Sequence, residues 1–339
     1  MVSRSTYSIY RPDLDTHPVP RVGVSRCLVG DPVRYDGGHK KDAFVTDTLG
    51  KHVDLIPVCP EVEMGLPVPR ESIRLENRNG AIRLIAPASG TDWTRQATDC
   101  CARRISTLSD IPPDGFIVQK KSPSCGLAQV KVFTPGQPVP QKTGTGIFTA
   151  ALSAAFPQMP LIDCDQLHNP VHRRHFLEQV FASRRLAQLF DSGAAQGKLV
   201  AFHSQEKYLL LAHDEAAYRG LGKLVAHAGE TSFGASLAAY RSRFMAAMNK
   251  VATPATHTNV LQHIAGYFKK SIGKPAREQL TLVIDEYHAG RVPLAAPIDL
   301  LRDHARRQSQ TYLLRQTYLA PYPEPLWRLD DTGAPPTNQ

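Results

Sequence analysis

The chain has no cysteine pair at C-x-x-C spacing, no apolar run of eighteen residues, no internal repeat and no low-complexity tract. The missing C-x-x-C argues against the usual closed zinc sites, which are built on paired cysteines. Without a long apolar run no membrane-spanning helix is expected. The opening M-V-S-R-S-T-Y-S-I-Y-R-P carries no apolar secretory core, so the expected compartment is the cytosol. In that reducing setting six cysteines point to metal binding, catalysis or simple burial rather than to disulfides.

What is present is ample for two domains: 339 residues, 42% hydrophobic and 21% charged, the profile of a globular protein. Charge is uneven. Residues 1–165 hold 19 Lys and Arg against 17 Asp and Glu, and residues 166–339 hold 21 against 14, so +2 and +7 make up the net +9. A field of that sign over the C-terminal half would attract a polyanion.

In the first half strand-like and helix-like segments alternate. Arg21 to Ser25, Val53 to Val58, Phe116 to Gln119 and Met159 to Asp163 read as short strands, and Ala81 to Ala86 as one arm of a hairpin with Ile73 to Glu76. Thr91 to Leu108 and Gly144 to Phe156 read as helices. This pattern predicts an α/β domain with a mostly parallel sheet. After Asn169 the strand signal fades, and an all-α C-terminal domain is expected. In it Ser204 caps a helix through Tyr218, Thr256 to Ser271 forms a second, and Pro275 opens a third that stops at Gly290. With the break at H-N-P, the domains are 1–166 and 167–329, followed by a disordered tail over 330–339.

Cys27, Cys59 and Cys125 each fall just beyond the carboxyl end of a predicted strand and beside a turn-former: Gly30, Pro60, and Pro123 with Gly126. Open parallel sheets place their sites at those ends. Three thiolates gathered there need a cation, and soft sulfur selects zinc, copper(I) or iron–sulfur. Cys–Pro also flanks ligands in ferredoxin runs. The competing reading is that a free cysteine packs as a small hydrophobe, and it suits Cys100, Cys101 and Cys164 well. Spacing alone does not choose a metal.

The stretches S-R-C-L-V-G-D-P-V-R-Y-D-G-G-H-K, P-V-C-P-E-V-E-M-G-L-P-V-P-R-E and K-S-P-S-C-G together resemble the thiouracil desulfidase family. H-S-Q-E-K-Y-L-L-L-A-H, N-V-L-Q-H-I-A-G-Y-F-K-K, G-R-V-P-L-A-A-P-I-D-L-L and Y-L-A-P-Y-P are similar to its usual helical fusion partner, so the resemblance covers nearly the whole chain. Fused proteins of this kind resemble desulfidases that convert 4-thiouridine in transfer RNA to uridine. The resemblance implies a 4Fe-4S cluster on Cys27, Cys59 and Cys125 with one iron free of protein ligand. That iron would capture the sulfur, without net redox change, while water attacks the ring carbon. It also implies that Glu61 and Ser122 act on the substrate, Glu61 in proton transfer. The alternative for Glu61 is a solvated carboxylate or a partner for Arg70.

Asp36, His39 and Ser124 are the expected substrate contacts; for the glycine turn from Arg34 to Lys40, a structural turn with Asp36 bonded to its own backbone is equally open. In the helical domain His263 and Lys270 share a face with Asn259, and Lys269 lies beside it. Arg302, Arg306 and Arg307 form a second basic row, and Tyr267 offers a stacking surface. Both rows can equally be solvated faces. The partner expected is tRNA or a thiolated uracil or nucleoside, with no membrane and no DNA. Two other functions stay open: desulfuration of free thiouracil or thiolated nucleosides, and a non-enzymatic iron–sulfur RNA-binding regulator.

Overall fold

The computed structural model describes residues 17–193, 195–230 and 232–329. The expected tail over 330–339 lies outside them. Contacts divide the chain between Arg185 and Leu186 into an α/β unit from Val19 and a helical unit.

Four strands form a parallel sheet in the order β2-β1-β5-β8: β1 Arg21–Ser25, β2 Asp54–Val58, β5 Gly115–Val118 and β8 Leu161–Asp163. The two central strands are continuous apolar runs covered on both faces, with Val22, Val24, Phe116, Ile117 and Val118 buried, whereas β2 at the edge buries only Val58. The order reverses at β1, which has β2 on one side and β5 on the other, and so opens a crevice at the carboxyl edge. The hairpin read from sequence is present as β3 Arg74–Arg78 and β4 Ala81–Ile85, antiparallel. It belongs to a second sheet, β4-β3-β6-β7, completed by β6 Val130–Phe133 and β7 Gln141–Gly144, where sequence pattern gave no element. Helices α1 Pro60–Glu63, α2 Thr94–Asp110 and α3 Ile147–Ala155 fill the connections. Phe148 of α3 meets Phe116 of β5 edge-on at 5.6 Å, in a core that also takes in Cys101, Leu108, Leu152 and Cys125.

The H-N-P break starts a helix: Asn169 Oδ1 accepts from the N–H groups of Val171 and His172, and α4 runs Pro170–Asp191. Its apolar face, with Phe176, Leu177, Val180 and Phe181 buried, keeps the division of the chain from falling before Arg185.

The second unit is helical, as expected: α5 Gln196–Gln205, α6 Lys207–His213, α7 Glu215–Ala226, α8 Phe233–Met248, α9 Pro254–Ala265, α10 Lys274–His288, α11 Ala295–Arg307, α12 Thr311–Leu314 and α13 Glu324–Trp327. Three expectations need correction. Ser204 lies inside α5, and the predicted long helix breaks at Asp214, whose side chain caps α7 through the Ala217 N–H. The helix expected to reach Ser271 ends at Ala265 and tightens into a 3-10 turn over Gly266–Phe268, so Lys269 and Lys270 do not continue its face. Arg302 is buried against the Trp327 ring and does not belong to an exposed basic row. Among the described residues no helix is long and apolar enough to cross a membrane.

Candidate active site

The three turns that carry the cysteines are built differently. After β1 a 3-10 turn over Arg26–Val29 closes on Gly30, whose φ of 99° is one that a side chain would strain. The Cys27 carbonyl also accepts the Lys40 N–H at 2.9 Å, which folds the glycine turn back over the site. After β2, Cys59 precedes α1, and Pro60 supplies the first helical position. The Cys59 N–H donates to Glu63 Oε1 at 3.2 Å, and Arg104 of α2 holds the same carboxylate at 2.6 and 2.9 Å. After β5, the Ser122 hydroxyl accepts from the N–H groups of Ser124 and Cys125 at 3.2 and 3.1 Å.

The last turn rests on the start of α3. The N–H groups of Gly146, Ile147 and Phe148 donate to the carbonyls of Gly126, Pro123 and Ser124, and the Thr149 hydroxyl donates to that of Cys125. Groups left open at a helix start thus satisfy the carbonyls of the K-S-P-S-C-G turn. The approach is so close that only glycine fits at 146, where a Cβ would lie 2.5 Å from the Ser124 carbonyl.

Cys27, Cys59 and Cys125 are buried and line one cavity of about 320 Å³, together with Glu61, Ser122, Arg70, Gln119 and five further cations, Arg26, Arg34, Lys40, Lys120 and Lys121. Burial, then the neighbouring Cys59, pushes the Cys27 thiol up to about 12. Burial raises the Cys59 thiol as well, and the Val62 and Glu61 N–H groups pull it partly back. Burial, then the charge of Glu61, raises the Cys125 thiol too. The three sulfurs do not all lie within 4.8 Å of one another. Around one tetrahedral zinc they would be about 3.8 Å apart. Soft donors, buried and spread around a cavity, fit a polynuclear iron–sulfur group better than a single ion.

Glu61 is held at both oxygens. Arg70 pairs with Oε2, and the Ser124 hydroxyl donates to Oε1 at 2.9 Å. The Arg70 pairing raised as an alternative for Glu61 therefore exists, inside the cavity wall. Ser124 is buried behind the carboxylate and does not line the cavity. Asp36 and His39 do not line it either: Asp36 Oδ1 accepts the Gly38 N–H at 3.0 Å in an exposed turn, and His39 Nδ1 accepts that of Lys41. Sequence reasoning missed Gln119, whose N–H donates to the Ser25 hydroxyl at 2.9 Å and whose side chain faces Cys27. Its only signal was its place directly after the G-F-I-V strand. In the helical unit His263, Lys269 and Lys270 are exposed, and Tyr267 stacks on Tyr312 with ring centres 5.7 Å apart.

A parallel sheet with three buried cysteines, a clamped glutamate and a hydroxyl gathered around one cavity at its carboxyl edge marks the candidate site of the α/β unit. The chain joins a 2-thiouracil desulfurase domain, matched over residues 22–163, to a domain of a family of unknown function, DUF1722, matched over residues 207–323. The first of these domains makes the protein a desulfurase of thiolated uracil by family. It is 34% identical over 148 residues to the uncharacterized protein YbgA of Escherichia coli (strain K12), covering 43% of this chain and 88% of that one. A solved 4Fe-4S-dependent thiouracil desulfidase, TudS, is 29% identical with a TM-score of 0.37, over 44% of this chain and 93% of the other.

Proposed function

We propose that the protein is an iron–sulfur-dependent desulfidase that converts 4-thiouridine in tRNA to uridine. The observation that carries this reading is the convergence of Cys27, Cys59, Cys125, Glu61 and Ser122 on one cavity. The cysteines would hold a 4Fe-4S cluster, whose one iron without a protein ligand supplies a soft Lewis acid for the thiocarbonyl sulfur. The net reaction adds water across the carbon–sulfur bond: the ring carbon gains the oxygen, sulfur departs as hydrogen sulfide, and no electrons are exchanged.

This chain's residues supply the rest. Glu61, held by Arg70 and Ser124, takes a proton from the attacking water at the ring carbon. The Ser122 oxygen already accepts two backbone N–H groups, so its own proton is left to donate to the ring. Support for a polynucleotide rather than a free base comes from charge: Lys40 and Lys121 line the cavity without an ion pair among the described residues, and the C-terminal half carries the larger positive excess. His263, Lys269, Lys270 and Tyr267 are candidate RNA contacts.

The test is anaerobic reconstitution with iron and sulfide, followed by iron counting, absorbance and turnover of 4-thiouridine in tRNA. Alanine at Cys27, Cys59 or Cys125 should abolish the cluster, and Cys164→Ala should keep it. A wild type that binds no iron, or turns over free thiouracil while ignoring thiolated tRNA, would overturn the reading.

A further inference from the structure

Arg70 does more than neutralise a carboxylate. Its side chain is 3% exposed, although it forms part of the cavity wall. One guanidinium nitrogen donates both to the Val33 carbonyl at 3.0 Å and to Glu61, another donates to the Pro67 carbonyl at 3.2 Å, and the Arg70 N–H donates to the Tyr35 carbonyl at 2.8 Å. The group is thus anchored to the loop after Cys27 and to the segment after α1 before it reaches the glutamate.

We propose that Arg70 is a positioning residue for Glu61: it fixes the carboxylate so that the water proton is received at one place, and it acts through Glu61 without touching the substrate. This rests on the desulfidase reading above. A glutamate side chain at a cavity wall has rotamer freedom to lose, and misplacing a catalytic group by about 1 Å can cost about 100-fold in rate. Glu61 is gripped by donors from two distant segments, Arg70 on one oxygen and Ser124 on the other. Arginine suits the task because its planar fork reaches Val33, Pro67 and Glu61 together, whereas a lysine has a single nitrogen.

The experiment uses the full chain, reconstituted with its cluster, as wild type, Arg70→Lys, Glu61→Gln and the double variant. Initial rates are measured on 4-thiouridine-containing tRNA, with iron content and urea midpoint followed in parallel. Arg70→Lys should keep its iron, leave KM within about 3-fold and lower kcat about 10- to 100-fold. In the Glu61→Gln background, adding Arg70→Lys should lower kcat no further, because the pair acts as a unit. Full-speed turnover by Arg70→Lys, a loss that multiplies onto that of Glu61→Gln, or a loss that tracks iron content would each overturn the proposal. A wild type inactive on thiolated substrate would sink the desulfidase reading along with it, whereas an active wild type beside a full-speed Arg70→Lys sinks this proposal alone.

Discussion

Gly146→Ala puts the seat of the third cysteine to a quantitative test. A Cβ there would lie 2.5 Å from the carbonyl carbon and oxygen of Ser124 and 2.6 Å from the Cys125 nitrogen. Carbon contacts are comfortable at about 3.5–4.0 Å, so the overlap is about 1 Å against backbone that cannot rotate away. Relief requires the first turn of α3 to withdraw from the turn it supports. The bonds from Gly146, Ile147 and Phe148 at 2.8, 3.1 and 2.9 Å would then stretch or break. Two such bonds at about 1 kcal/mol each, added to an overpacking cost of about 1–3 kcal/mol, give about 3–5 kcal/mol. At about 2–4 °C per kcal/mol for a unit of this size, the melting midpoint should fall by about 6–20 °C. Iron per chain after reconstitution should fall with it, because Cys125 rides on the same turn. Gly220→Ala is the control: it sits within α7 with nothing within 4 Å of the added carbon, and it should gain about 0.5–1 kcal/mol. A Gly146→Ala protein with native melting and full iron content would refute the reasoning.

Replacing Arg104 with Gln should loosen Glu63 from α2 and weaken the hold on the Cys59 N–H; a loss of about 1–3 kcal/mol with incomplete iron loading is expected, read by urea denaturation and iron counting. His203, buried against Tyr240, is held down to about 4 by burial alone. Its depressed folded value means that the unfolded chain binds the proton first. Stability is therefore full above about pH 6.5 and is lost as pH falls towards about 4, by about 3 kcal/mol. Urea midpoints of the wild type across that window should slope accordingly, and those of His203→Gln should be flatter; parallel slopes would contradict the assignment. If the helical unit holds RNA through Lys269 and Lys270, each alanine substitution should reduce the salt slope of tRNA affinity by about 1 in a titration series, and unchanged slopes would move the contact elsewhere.

Legibility followed how local each determinant is. The strand Arg21–Ser25 and the three cysteine positions could be read because short β-branched runs end at turn-formers, and a parallel sheet puts such ends on one edge. β7, Q-K-T-G, is polar and largely exposed, held by its pairing with β6, and four residues carry no period to detect. The break at Asp214 and the early end of α9 at Ala265 turn on cap and 3-10 geometry that hydrophobic spacing does not register. Arg302 looked like a surface cation by residue type, whereas it is buried with its guanidinium over the Trp327 ring. Within the candidate site the cysteines stood out by chemistry, whereas Arg70 and Gln119 owe their places to chain segments far away in sequence. The placement of α3 under the third turn makes sense of Gly146 in G-T-G, which sequence reading could only note as a helix start.

The order of the parallel sheet bears on how the protein is made. Cys27 and Cys59 emerge from the ribosome early, on strands that pair directly with each other. Cys125 joins them only when β5 docks on the free edge of β1, after the hairpin and α2 have been synthesised, and its turn stays unsupported until α3 follows. No truncated chain ending before that helix can present all three sulfurs. Any centre assembled on all three is therefore a late event in the folding of the α/β unit, waiting for β5 to dock and for α3 to support the third turn.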